Sequence, residues 1–227
     1  MSTAPKNDLI NKNMKKIRQS EIVIFLIVVI SFAIGAYFYP QMPANMASHW
    51  NAKGQVDGYM SRFWGLFLMP LISLAMLLLF IIIPRIDPLK ENIAKFRKHF
   101  DAFLIIIFLF LLYIYLLTIF WTLGSRFNMN QALSPAFAIL FFYAGVLVEK
   151  SKRNYFIGIR TPWTLASETV WDKTHKIGGK LFKASAVICL LGLFLPDYAV
   201  WFLLVPVIFS AIFSFIYSYI EFKKESK

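Results

Sequence analysis

The sequence predicts an all-α integral membrane protein, a bundle of six transmembrane helices with both termini cytoplasmic. Three observations predict it: an apolar composition, the gathering of apolar residues into blocks, and a one-sided distribution of Lys and Arg. Of 227 residues, 59% are hydrophobic and 18% aromatic, and the mean hydropathy is +0.62. A water-soluble domain lacks the interior to hide that much apolar surface. About twenty consecutive apolar residues cross the roughly 30 Å hydrocarbon core.

The apolar blocks are residues 22–39, 63–83, 102–123, 132–148, 181–195 and 199–220. Lys183 is the one charge within them. It sits in the first turn of the fifth block, where a long aliphatic stem lets its ammonium snorkel to the interface. That block is also the shortest, so its helix is expected to begin before Leu181 or the bilayer to thin around it. The first block follows a polar leader of 21 residues and is 18 residues long, which fits an uncleaved anchor better than the shorter apolar region of a signal peptide.

Cytoplasmic segments retain Lys and Arg, whereas short translocated loops lack them. Residues 1–21, 84–101, 149–183 and the tail 221–227 hold 21 of the 24 basic residues; Lys53, Arg62 and Arg126 are the other three. The chain therefore divides into a cytoplasmic basic segment (1–21), a two-helix module (22–83) with an outer loop (40–62), a segment with a basic inner loop, third helix and short outer loop (84–131), a second module (132–220) with a cytoplasmic loop (149–180), and the tail. The net charge of +12 is spread over juxtamembrane segments rather than gathered on one domain. It suits anionic lipid headgroups, with no direct nucleic-acid partner expected. Cys189 stands alone, so no intramolecular disulfide forms.

Two segments are too rich in polar, aromatic and turn residues to be simple connectors. The outer loop carries His49, Trp50, Asn51, Gly54, Asp57, Gly58 and Tyr59. Asp57-Gly58 reads as a tight turn. The aromatic residues suit either an interfacial belt or a ligand-contact surface. His49 and Asp57 offer one nitrogen and one oxygen ligand, short of a metal site, and no cofactor is expected.

In the cytoplasmic loop, Asn154 to Arg160 reads as extended or turning chain broken by Gly158, with Pro162 opening a short helical turn. Ser167 is placed to cap a helix with Glu168 in its first turn. That helix puts Trp171, Asp172 and His175 on one face, and Gly178-Gly179 either ends it or lets it pack closely. Arg160, Trp163, Trp171, Asp172 and His175, with Asn154, are the candidate contacts for an inner partner; docking of the loop onto the bundle accounts for them equally well. Glu168, Asp172 and His175 also admit an acid/base reading, although no nucleophile motif, phosphate loop or HExxH pattern accompanies them. A transporter reading finds no ionisable relay in mid-bilayer.

The run Asn154-Tyr-Phe-Ile-Gly-Ile-Arg-Thr-Pro-Trp-Thr-Leu-Ala-Ser-Glu-Thr-Val-Trp-Asp-Lys-Thr-His-Lys-Ile-Gly-Gly179 resembles the signature of the SdpI family of bacterial membrane immunity proteins. The segment from Pro43 through His49-Trp50-Asn51, Gly54, Asp57 and Gly58 is similar to the N-terminal domain of unknown function that often precedes it. The resemblance implies a non-enzymatic, multi-pass plasma-membrane protein that resists a secreted toxic peptide. It also implies signalling, by holding a cytoplasmic transcriptional repressor at the membrane.

Overall fold

The computed structural model describes residues 18–225. Its elements are α1 (Gln19–Phe38), a 3-10 turn (Tyr39–Gln41), β1 (Asn45–Trp50), β2 (Val56–Ser61), α2 (Arg62–Ile86), α3 (Lys90–Thr122), α4 (Met129–Lys150), α5 (Pro162–Ala166) and α6 (Glu168–Cys189), then 3-10 turns (Leu190–Leu193 and Pro196–Tyr198) and α7 (Ala199–Glu225). The basic leader expected at 1–21 lies outside the described residues up to residue 17, as do the last two residues of the tail.

Five helical spans are long and apolar enough to cross a membrane: Gln19–Gln41, Arg62–Ile86, Lys90–Thr122, Met129–Lys150 and Pro196–Glu225. Their outward faces carry Phe25, Leu78, Ile139, Val205, Phe209 and Ile212, all at least 45% exposed. So much outward-facing apolar surface is stable only against lipid. The chain is a multi-pass membrane bundle.

The fifth apolar block begins no helix of its own; as one of the two expectations had it, the helix starts before Leu181, at Glu168. Residues 181–195 form the second half of α6 and the turn after it, while the first half carries Glu168, Asp172, Lys173, Lys176 and Lys180. The apolar run continues a helix that began in polar sequence, so α6 as a whole falls outside the five. Lys183 is correspondingly not in a first turn. It lies well inside α6 and, instead of snorkelling alone, pairs with Glu149 of α4 at 2.8 Å.

Helix α6 packs antiparallel between α4 and α7, and small residues set its spacing. A Cβ on Gly179 would stand 2.6 Å from the Gly145 carbonyl oxygen, and one on Gly145 would stand 2.6 Å from that of Gly179. The backbones thus meet directly, as helices do in lipid, where dispersion and close approach replace the hydrophobic effect. On the other side, Ser210, Ser214 and Ser218 recur every four residues on the buried face of α7. Ser185 and Ser210 hydroxyls meet at 3.1 Å, and Thr161 donates to Ser218 at 3.0 Å.

The N-terminal half is held by larger side chains. Ile24, Ile27 and Val28 of α1 pack with Leu77 of α2 and Phe100, Leu104 and Phe108 of α3. At the Lys- and Arg-rich end, Arg97 donates to Asp101 at 2.6 Å and lies 3.6 Å from Glu21, while Arg18 reaches Asp101 at 3.6 Å. These ion pairs tie α1 to α3 where the helices leave the apolar zone. Helix α3 bends there too, through the non-helical backbone of Phe96.

The outer loop is a β-hairpin, so the bundle is not purely helical. Asp57-Gly58 does not make its turn. Gly58 lies in β2 opposite His49. The turn is built by Asn51, whose Oδ1 accepts from the amides of Lys53 (2.9 Å) and Gln55 (3.1 Å), with Gly54 at φ +73°. Gly54 supplies the left-handed conformation that a Cβ disfavours, and the Asn51 side chain organises the turn without Asp57-Gly58.

Replacing Gly179 with Ala is expected to destabilise the protein by about 1–3 kcal/mol through overpacking, read as a lowered thermal midpoint in detergent. Gly124→Ala, at a position with nothing within 4 Å of the added carbon, calibrates the effect of backbone strain alone.

Candidate functional site

The two polar segments form separate surfaces at opposite ends of the bundle. At the hairpin end, the loop before α4 clamps the hairpin tip: Asn130 Nδ2 donates to the carbonyls of Asn51 (3.1 Å) and Ala52 (3.0 Å), and Asn128 Nδ2 to that of Lys53 (3.3 Å). Trp50 packs edge-on against Trp121 at 5.8 Å, and Arg126 lies 4.0 Å over the Trp121 ring. Beneath the hairpin is a cavity of about 280 Å³ lined by Trp50, Trp64, Leu68, Tyr115, Thr118 and Asn130, among others.

Of the outer candidates, His49 and Asp57 form an exposed cross-strand pair through His49 Nδ1. Tyr59 is 64% exposed, and Trp50 is half-buried over the cavity. Asn51 is spent on the turn. The hairpin therefore presents His49, Asp57 and Tyr59 outward and Trp50 inward.

At the Lys- and Arg-rich end, residues 151–161 fold against the first half of α6. Asn154 is fully buried and works as a four-way bracket: its Oδ1 accepts from the amides of Phe156 and Ile157, and its Nδ2 donates to the carbonyls of Lys152 and Ile157, all within 2.6–2.9 Å. Ser167 caps α6 by accepting from the Val170 amide at 3.2 Å, and Thr161 caps α5 through Thr164. Both helix starts follow from local sequence, because each cap satisfies an amide with no intrahelical partner.

His175 closes the loop. Its Nε2 accepts from the Ile159 amide at 2.9 Å, and its Nδ1 donates to the Trp171 carbonyl at 2.8 Å. One ring nitrogen must be bare and the other protonated, so the imidazole is neutral with its tautomer fixed. The ring stacks on Trp171 at 3.9 Å, and the Trp171 indole donates to the Ser151 carbonyl at 3.2 Å. Burial pushes the His175 pKa down from 6.5 to about 4, outweighing the Trp171 carbonyl and the Asp172 charge, which pull it up. Gly158 makes the approach possible: φ is +118°, and a Cβ there would stand 2.5 Å from His175 Nε2.

Trp171 and His175 share a buried face as the helical spacing predicts. Asp172 diverges from it onto the surface, where it meets Lys152 at 3.1 Å. Arg160 is exposed and donates to the Tyr155 carbonyl at 3.0 Å. Trp163 is half-buried between Phe215 (5.2 Å) and Tyr219 (5.0 Å) of α7. Asn154, Trp171 and His175 thus build the loop, and Arg160, Asp172 and part of Trp163 remain accessible.

Sequence reasoning missed the residues that dock this loop onto the N-terminal half. Asp87, 2% exposed, accepts from the amides of Leu89 (2.6 Å) and Tyr155 (2.9 Å), and Asn92 donates to the Arg153 carbonyl at 2.9 Å. The contact with Tyr155 spans 68 positions in the chain, so no local pattern announces it. Among the described residues, no three His, Cys, Asp or Glu side chains converge as metal ligands.

Acid should loosen this end of the protein. The folded imidazole resists protonation while the unfolded one accepts a proton near pH 6.5. Stability is therefore flat above about pH 6.5 and falls as pH drops from there toward about 4, by a total on the order of 3 kcal/mol. Thermal unfolding at stepped pH should show that slope in the wild type, and His175→Gln, which keeps a donor and an acceptor but no titrating ring, should flatten it.

Comparison with known proteins places both ends of the molecule. The profile of the SdpI/YfhL protein family matches residues 150–218, covering the inner loop, α6 and most of α7. The profile of a domain of unknown function, DUF1648, matches residues 26–74, covering most of α1, the hairpin and the start of α2. The chain is 25% identical over 207 residues to the Immunity protein SdpI of Bacillus subtilis (strain 168), a match spanning 91% of this chain and 97% of that protein. No solved structure matches. The chain is thus similar to the SdpI/YfhL family over residues 150–218, to the DUF1648 profile over residues 26–74, and to a bacterial immunity protein along nearly its whole length.

Proposed function

We propose that this protein gives its cell immunity to a secreted, membrane-active toxic peptide, acting from the plasma membrane. The observation that carries this reading is the end-to-end similarity to the Bacillus subtilis immunity protein, which includes the hairpin and the inner loop together. In this reading the hairpin faces outward and meets the peptide through His49, Asp57 and Tyr59, with Trp50 offering its ring at the cavity beneath, on a turn held by Asn51. The exposed aromatic ring of Tyr59 and the exposed Asp57 carboxylate suit an amphipathic, basic peptide at the headgroup level.

The same reading makes α6 a sixth span. Cys189 contacts the Ser134 carbonyl near the outer end of α4, and Lys183 meets Glu149 near its inner end, so the second half of α6 runs the depth of α4. Six crossings put both termini on the Lys- and Arg-rich, cytoplasmic side. There Arg160, Trp163 and Asp172 form the contact surface for a cytoplasmic partner such as a transcriptional repressor, on a frame set by Asn154, Trp171 and His175.

Expression in a peptide-sensitive host tests this directly. The wild-type chain should restore survival, and the double substitution Trp50→Ala and Tyr59→Ala should lower protection at least about tenfold, as expected for interfacial aromatic anchors, with membrane levels unchanged by fractionation. Undiminished protection by the double variant would remove the hairpin from the mechanism. A wild type that protects against no membrane-active peptide would overturn the immunity reading.

A further inference from the structure

A second cavity, of about 210 Å³, opens at the inner end between the start of α3, the loop after α4 and the start of α6, lined by Asn92, Lys95, Lys152, Arg153, Trp171, Glu168 and Asp172. It brings three cationic side chains together from two separate parts of the chain. The Arg153 guanidinium is its deepest charge. Arg153 is held by donating to the Leu165 carbonyl at 3.3 Å and by Glu168 at 3.4 Å, yet its Nε–H is buried without a partner. A buried unpaired donor on a charged group is costly unless something occupies the space beside it.

We propose that this pocket binds a phosphate group. The volume is below that of pockets for drug-sized ligands but holds a tetrahedral oxyanion and a few waters at about 30 Å³ each. Geometry favours phosphate over carboxylate. Arg153 Nη1 spends one donor on the Leu165 carbonyl and Nη2 one on Glu168, so each keeps a second N–H for an anion. Each ammonium keeps donors free among the described residues, because Lys95 gives one to Asn92 at 2.7 Å and Lys152 bonds to Asp172. A tetrahedral anion can take one donor from each of three cations approaching from different sides. The two carboxylates do not forbid it: Glu168 and Asp172 are 71% and 58% exposed, at the wet rim, whereas Arg153 is 28% exposed. The lining carries three positive charges against two negative.

The phosphate comes either from a soluble phosphate compound or from a lipid headgroup, since the pocket lies just beyond the last turn of α4, at the basic end of the bundle. Occupancy would bridge α3, the signature loop and α6, and would stabilise the fold by mass action. This inference stands apart from the immunity reading, because it concerns binding by the purified chain.

The test uses the full chain in nanodiscs of phosphatidylcholine, with inorganic phosphate titrated against chloride at constant ionic strength. Thermal unfolding and phosphorus NMR line width are the readouts. The wild type should show saturable stabilisation and broadening. Lys95→Gln and Lys152→Gln, both at exposed positions that leave the fold intact, should each weaken the phosphate response about tenfold while keeping the phosphate-free midpoint. Discs containing phosphatidylglycerol separate the sources: suppression of the phosphate response in wild type but not in Lys95→Gln assigns the site to a headgroup, and an undiminished response assigns it to a soluble phosphate. No saturable response in either disc, or an equal response in wild type and both variants, overturns the proposal.

Discussion

The inner end of this protein depends on one imidazole. His175 uses both ring nitrogens, one accepting the Ile159 amide and one donating to the Trp171 carbonyl, and its face covers Trp171. Without it, the Ile159 amide beneath α6 would lose its acceptor. Gly158 and Asn154 exist in service of the same contact: the glycine clears the space for the ring, and the amide fixes the turn leading to it. Once folded, the loop fixes the Ser151 carbonyl under the Trp171 indole and the Tyr155 amide on Asp87, so the two halves of the bundle become one unit.

The membrane sets the remaining rules. Small residues line the contacts of α6 with its neighbours, where close backbone approach is the main source of cohesion. Charges that enter the bundle do so in pairs, as Lys183 with Glu149, Lys173 with Glu221 and Arg97 with Asp101 and Glu21. Helix α3 links the ends, since it carries Tyr115 and Thr118 in the outer cavity wall and Asn92 and Lys95 in the inner one. A change in the tilt of α3 would be felt at both.

Much of this was legible from residue order. Five of the six apolar blocks are spans, and the Ser167 cap, the Pro162 turn and the shared face of Trp171 and His175 follow from local rules that act over one or two helical turns. The misreadings share a cause. Asp57-Gly58 looked like the turn, but Asn51 won because its side chain can accept two amides at once. Lys183 looked interfacial until Glu149, 34 positions earlier, came within 2.8 Å. For block 181–195 the open point was whether Gly178-Gly179 ends the helix that starts at Glu168; close packing on α4 at Gly145 keeps it continuous to Cys189.

Amide hydrogen exchange on the full chain in nanodiscs tests the central claim, that the signature loop is a fixed structure rather than a mobile connector. The amides of Ile157 and Ile159 are bonded to Asn154 and His175 and should exchange as slowly as those in the body of α6. Exchange at the rate of an open surface loop would contradict the account, because the frame that presents Arg160, Trp163 and Asp172 would then not exist in the membrane.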